Sequence, residues 1–164
     1  MEVLDTRDCI ERGIKPEEYA DHFIFAGNPG TGKTTVGKML GSFYSMLGVL
    51  GGAETLFVDA SDLIGTHVGE SKEKTIEIMQ KAINHNQLLF IDEAYQISES
   101  AYGNEIIGAM MSRMTENAKD FKIVFAMYSD KVEDFMKMNS GLSRRLRIVD
   151  FLDYTPPQLL EIFD

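Results

Sequence analysis

Cysteine and histidine are scarce in this sequence: of 164 residues, one is cysteine and three are histidine. Cys9 alone cannot close a disulfide within the chain, and His22, His67 and His85 lack metal-ligand spacing. That usage fits a reducing, cytoplasmic setting. Positive charge is short as well, with 16 Lys and Arg against 26 Asp and Glu, a net charge of −10. Nucleic-acid binding draws most of its affinity from clustered Lys and Arg, so a helicase or translocase surface is disfavoured and no nucleic-acid partner is expected. The one dense basic cluster is Arg144, Arg145 and Arg147. Apolar runs of about 18 residues, the length of a membrane span, are missing. Residues 1–21 carry acidic side chains without the apolar run of a signal peptide, so no membrane partner is expected either.

What is present suits a single folded domain. The chain has 44% hydrophobic and 26% charged residues, the balance of an ordinary globular protein. Short apolar runs alternate with longer amphipathic stretches, which predicts strands wrapped by helices around a parallel sheet. Strands are expected at His22–Ala26, Thr55–Val58, Leu88–Asp92, Lys122–Tyr128 and Arg147–Phe151. Most are apolar almost throughout, as strands covered on both faces must be. Helices are expected over Lys33–Leu47, Lys72–Asn84, Asn104–Asn117 and Asp130–Met138, with apolar residues such as Ile76, Met79 and Ile83 at helical spacing. The methionines between Met110 and Met138 read as core filling.

Between the first strand and the first helix, Gly27-Asn28-Pro29-Gly30-Thr31-Gly32-Lys33-Thr34 matches Gly-x-x-x-x-Gly-Lys-Ser/Thr. Glycines let the backbone curl until successive N–H groups point at phosphate oxygens, and the helix that follows adds the positive end of its dipole. Asn28, Pro29, Gly30, Thr31, Gly32, Lys33, Thr34 and Thr35 are therefore the expected nucleotide-binding residues. Lys33 is expected to reach the β- and γ-phosphates, and Thr34 to give a hydroxyl to Mg²⁺. About 60 residues on, the apolar run Leu88–Ile91 ends in Asp92 and Glu93. Two carboxylates at the end of a buried strand are costly unless a cation waits there. Asp92 is accordingly assigned to the metal, and Glu93 to the water that attacks the γ-phosphate. The expected cofactors are ATP and Mg²⁺.

Three stretches, Gly27–Thr34, Val68-Gly69-Glu70-Ser71 and Phe90–Tyr95, resemble the AAA+ family, the ATPases associated with diverse cellular activities. Phe25–Thr34, Ile91–Tyr95 and Asn139–Arg145 further resemble the branch that holds stage V sporulation protein K, red-type Rubisco activase and the type VII secretion ATPases. The resemblance implies an α/β fold: a P-loop NTPase three-layer sandwich on a parallel five-stranded sheet of order 5-1-4-3-2. It divides the chain into a linker or helix over 1–21, an ATPase core over 22–154, and the start of a truncated lid helix over 155–164, the helical lid itself being absent.

The same resemblance implies a ring, hexameric in the full-length form and built from like or unlike subunits, that hydrolyses ATP to remodel a protein client. Arg145 matches the arginine finger that reaches a neighbour's γ-phosphate, with Arg144 as the alternative. Tyr128 stands at the sensor position, with Ser129 next to it. His67 occupies the place where many relatives carry a pore-loop aromatic. An isolated core of this kind is expected to hydrolyse ATP weakly. The alternative is a nucleotide-gated assembly module with little hydrolysis.

Overall fold

The computed structural model describes residues 22–163. The linker or helix expected over 1–21 lies outside them. Five strands form one sheet: β1 His22–Gly27, β2 Leu56–Asp59, β3 Leu88–Asp92, β4 Lys122–Met127 and β5 Leu146–Phe151. Their order is β2-β3-β4-β1-β5 with every neighbouring pair parallel, which read from the other edge is the expected 5-1-4-3-2. The helices are α1 Lys33–Met46, α2 Glu70–Asn84, α3 Tyr95–Glu99, α4 Gly103–Glu116, α5 Val132–Lys137, α6 Leu142–Arg145 and α7 Pro156–Phe163.

The apolar runs are continuous because successive residues of a strand face opposite sides and both sides are covered. On one side Ile24, Ala26, Leu89, Ile91, Ile123, Phe125 and Met127 pack with Met79 of α2, Ile106 and Met110 of α4, and Phe135 of α5. On the other side Phe25, Leu88, Phe90, Val124 and Ala126 pack with Leu40 and Tyr44 of α1. Each fully buried Ile, Leu, Val, Phe or Met among them contributes about 1.5–3 kcal/mol. Met110, Met114 and Met127 are all buried, as core filling requires. On α1, a Cβ at Gly37 would lie 2.4 Å from the Phe90 ring, so this helix rests close against β3. That closeness fixes where the helix points its first turn.

Some boundaries differ from the sequence pattern for local reasons. Thr55 turns its hydroxyl to the Gly37 carbonyl at 3.2 Å, and β2 begins one residue later. The α2 helix starts at Glu70, two residues earlier than expected, behind Gly69 in the left-handed region at φ 87°. The segment expected as one helix over Asp130–Met138 is a 3-10 turn, Ser129–Lys131, followed by α5. Among the described residues no helix is long and apolar enough to cross a membrane.

At the amino edge of the sheet His22 is buried, and its Nδ1 accepts from the Ile123 N–H at 3.0 Å. Burial, then the charges of Lys122 and Arg145, push its pKa down to about 3. The folded state holds this ring neutral while the unfolded chain protonates it near 6.5, so below that pH the unfolded state binds more protons. Stability is expected to fall as pH drops from about 6.5 towards 3, by at most about 1.4 kcal/mol per pH unit from this group. Urea melts between about pH 6.5 and 4.5, above the range where the depressed Glu70 carboxyl adds a slope of its own, should carry the slope in the parent chain and lose it in His22→Leu. A slope that survives the substitution would assign it elsewhere.

Candidate active site

All five strands run the same way, so the loops that follow them gather at one edge of the sheet. The Gly27–Gly32 loop leaves β1 there, beside the end of β3. Gly30 and Gly32 hold φ of 77° and 91°, conformations that L side chains rarely adopt. They turn the chain over so that α1 begins at Lys33 with its first amides facing the loop. Lys33 folds back, its Nζ donating to the carbonyls of Gly27 and Asn28, each at 2.7 Å. Partial burial draws the Lys33 pKa below its ordinary value, while the carboxylates of Asp92 and Glu93 pull the other way.

A cavity of about 390 Å³ opens over this loop. Pro29, Gly30, Gly32, Lys33, Thr34 and Thr35 form its floor, and Asp92, Glu93, Met127 and Tyr128 its opposite wall. The ends of β1, β3 and β4 thus bring together the lysine, the hydroxyl, the two carboxylates and the tyrosine expected from the sequence. Thr34 and Asp92 offer hard oxygen donors, the kind that Mg²⁺ accepts together with phosphate oxygens and water. Among the described residues no cluster of three or more His, Cys, Asp or Glu could hold a metal alone. The donor set therefore fits an ion shared with a phosphate group better than a dedicated cage.

Among the described residues Glu93 is one of two non-glycine residues with positive φ, at 52°, the other being Asn86. A side chain in that region costs about 1–2 kcal/mol. Its surroundings fix the turn: the Glu93 N–H donates to Asp92 Oδ1 at 2.9 Å, and the Ala94 N–H to the Ala126 carbonyl at 2.9 Å. The Glu93 carboxylate, ahead of burial, pushes the Tyr95 pKa up to about 12.

Two of the expected loop residues look away from the cavity. Thr31 is buried, its hydroxyl bonded to the Asn28 carbonyl at 2.8 Å. Asn28 gives its amide to both carboxylate oxygens of Asp153 at 3.0 Å, and the Tyr154 hydroxyl donates to the Thr31 carbonyl at 3.3 Å. The segment leaving β5 is therefore tied to the phosphate loop across more than 120 residues of chain. No local pattern in the sequence announced Asp153 or Tyr154.

Arg144 and Arg145 lie elsewhere. They end α6 immediately before β5, whose first residue Leu146 pairs with His22 at the amino edge of the sheet, opposite the cavity. Arg145 donates to the Gly141 carbonyl at 3.1 Å and to Thr115 Oγ1 at 2.9 Å, while Arg144 is exposed. His67 projects from the loop before α2, 86% of its side chain exposed. That loop is held by Glu70, which accepts from the N–H groups of Thr66 and His67, and by Glu105, which accepts from Gly69. The Thr66 hydrogen bond, first among several, pulls the Glu70 pKa down to about 2.

Residues 23–152 match the profile of the ATPase family associated with various cellular activities (AAA). The chain belongs to the AAA family. It is 36% identical over 156 residues to stage V sporulation protein K of Bacillus subtilis, an alignment covering 93% of this chain and 48% of that protein. It is 40% identical over 146 residues to the CfxQ homolog of Galdieria sulphuraria, covering 86% of this chain and 47% of the relative. These relatives belong to the branch that the three motif stretches resemble. The AAA chain thus spans about half the length of the curated relatives it matches. Among solved structures, the FIGL-1 AAA domain in complex with ADP superposes with a TM-score of 0.64 at 20% identity, covering 88% of this chain and 47% of that one. At that identity the likeness carries the AAA fold alone.

Proposed function

We propose that this chain is the ATP-binding and ATP-hydrolysing core of a ring-forming motor that remodels a protein client. The observation that carries the reading is one cavity in which Lys33 and Thr34 from the start of α1 converge with Asp92 and Glu93 from the end of β3. The loop amides and the Lys33 ammonium bind the β- and γ-phosphates, Lys33 exchanging carbonyl partners for phosphate oxygens. Thr34 and Asp92 hold Mg²⁺, which when bound neutralises developing charge on the phosphates. Glu93 orients the water and takes its proton as the bond to the γ-phosphorus forms and ADP leaves. Tyr128 faces the same space and serves as sensor.

A phosphoryl transition state gathers charge that Lys33 and one divalent ion do not fully cover. An arginine from a neighbouring subunit supplies the remainder. Arg144 or Arg145, at the opposite edge of the sheet from their own cavity, suit reaching a second subunit's site rather than their own. His67 and Val68 project from a braced loop and suit contact with the client. The α7 helix begins the lid, after a core over 22–154. An assembly module that binds ATP with little hydrolysis would share every feature of this cavity, and turnover separates the two.

Calorimetry and phosphate release at rising protein concentration test the reading. Magnesium ATP is expected to bind, and slow turnover per protein molecule to rise with concentration as neighbours complete each site. Turnover that is fast and independent of concentration would remove the trans arginine. Binding without any turnover at all concentrations would favour the assembly module.

A further inference from the structure

The phosphate loop is gripped on its outer side by a segment that takes no part in the chemistry. Phe151 ends β5 beside Gly27, so close that a Cβ on Gly27 would overlap the Phe151 carbonyl oxygen, and its ring packs on Phe25 with centroids 4.8 Å apart. Two residues further on, the Asp153 carboxylate accepts from the Asn28 side-chain amide at 3.0 Å to each oxygen. The Tyr154 hydroxyl donates to the Thr31 carbonyl at 3.3 Å. Asn28 and Thr31 bracket Pro29 and Gly30, both of which line the cavity. From within the loop, the Asn28 carbonyl accepts from the Thr31 hydroxyl at 2.8 Å and from Lys33 Nζ at 2.7 Å.

We propose that Asp153 and Tyr154 are positioning residues for nucleotide binding, which keep the turn from Asn28 to Thr31 curled while Lys33 changes partners. This rests on the reading of the Gly27–Thr34 loop as the phosphate cradle. On that reading Lys33 exchanges the Gly27 and Asn28 carbonyls for phosphate oxygens, so the loop loses two of its own bonds as the ligand arrives. Neither Asp153 nor Tyr154 lines the cavity, and their bonds to the loop do not compete with the ligand. A turn ordered beforehand has little backbone entropy left to lose on binding. Asp153 also carries a negative charge, which by itself disfavours a triphosphate nearby. A variant that keeps the acceptor and removes the charge therefore separates positioning from electrostatics.

The experiment is calorimetric titration of the full chain with magnesium ATP, for the parent, Asp153→Ala, Asp153→Asn, Asn28→Ala, the Asn28→Ala/Asp153→Ala double variant, Tyr154→Phe and Lys33→Ala. Asp153→Ala and Asn28→Ala are each expected to weaken binding about tenfold, and the double variant no more than either alone. Asp153→Asn, whose amide oxygen still accepts from Asn28, is expected to bind at least as tightly as the parent. Tyr154→Phe keeps the ring, loses the donor and is expected to weaken binding about threefold. Melting temperatures without nucleotide are expected to match the parent's. Parent affinity in Asp153→Ala or in Tyr154→Phe overturns the role of that residue. Additive losses in the double variant, or binding by Asp153→Asn as weak as by Asp153→Ala, overturn the positioning of Asn28. A fall in melting temperature that tracks the loss of affinity marks a packing role and overturns it as well. If Lys33→Ala binds as the parent does, the phosphates lie elsewhere and the reading of the loop fails together with the proposal. If Lys33→Ala loses binding while Asp153→Ala and Tyr154→Phe keep it, only the proposal fails.

Discussion

Lys33→Ala is expected to weaken magnesium ATP binding by about two orders of magnitude while leaving the fold intact. Hydrogen bonds to charged groups contribute about 1.5–3 kcal/mol each, and each 1.4 kcal/mol is tenfold in affinity. Lys33 is the one ammonium lining the cavity, so no neighbouring cation replaces it. In the folded chain it serves the Gly27 and Asn28 carbonyls, and at the exposed Asn28 water can take over. Thermal melts read the difference directly. Nucleotide at about 100 times its dissociation constant adds about 2.7 kcal/mol of stability to a protein that binds it, and at one dissociation constant only about 0.4 kcal/mol. The parent should gain several degrees under conditions where Lys33→Ala gains almost none. Equal protection of both would mean that the phosphates lie elsewhere.

Glu93→Gln should do the reverse, keeping affinity and removing turnover. The substitution preserves size and leaves the phosphate loop untouched. What it loses is the capacity to take a proton, and general-base catalysis is worth about 10²–10⁴-fold. Phosphate release should fall by that factor while calorimetry with ATP gives the parent's affinity. The positive φ at Glu93 disfavours both residues alike, so a changed backbone is not expected to confuse the outcome. Undiminished release would end the assignment of Glu93 and leave the assembly reading in place.

The architecture was legible because its signals are local or periodic. Leu88–Ile91 and Ile123–Met127 are apolar without a break, and such strands belong between two helical layers. The Gly27–Thr34 loop and the Asp92-Glu93 pair are short motifs that carry their chemistry in a few adjacent residues. The short helices α3 and α6 were not legible, since five and four residues are too few to show a helical period. Nor was the split of the Asp130–Met138 segment, whose apolar spacing is the same in a 3-10 turn followed by a helix. The contacts of Asp153 with Asn28 and of Tyr154 with Thr31 depend on β5 lying beside β1, which only the assembled sheet decides. Arg145 shows the same limit from the other side. Its motif suggested a role in a neighbour's site, whereas its bonds to Gly141 and Thr115 depend on the packing of α4 beside α6.

The fastening of Asp153 and Tyr154 to the phosphate loop has a mechanical meaning. Only Thr155 separates Tyr154 from α7, and the helix opens with Pro156 and Pro157, whose fixed φ leaves little slack. Strain arising where the triphosphate tail settles therefore has a stiff route outward, from Asn28 and Thr31 into the first turn of that helix. The exit from the sheet works as a lever arm whose short end is the cradle itself.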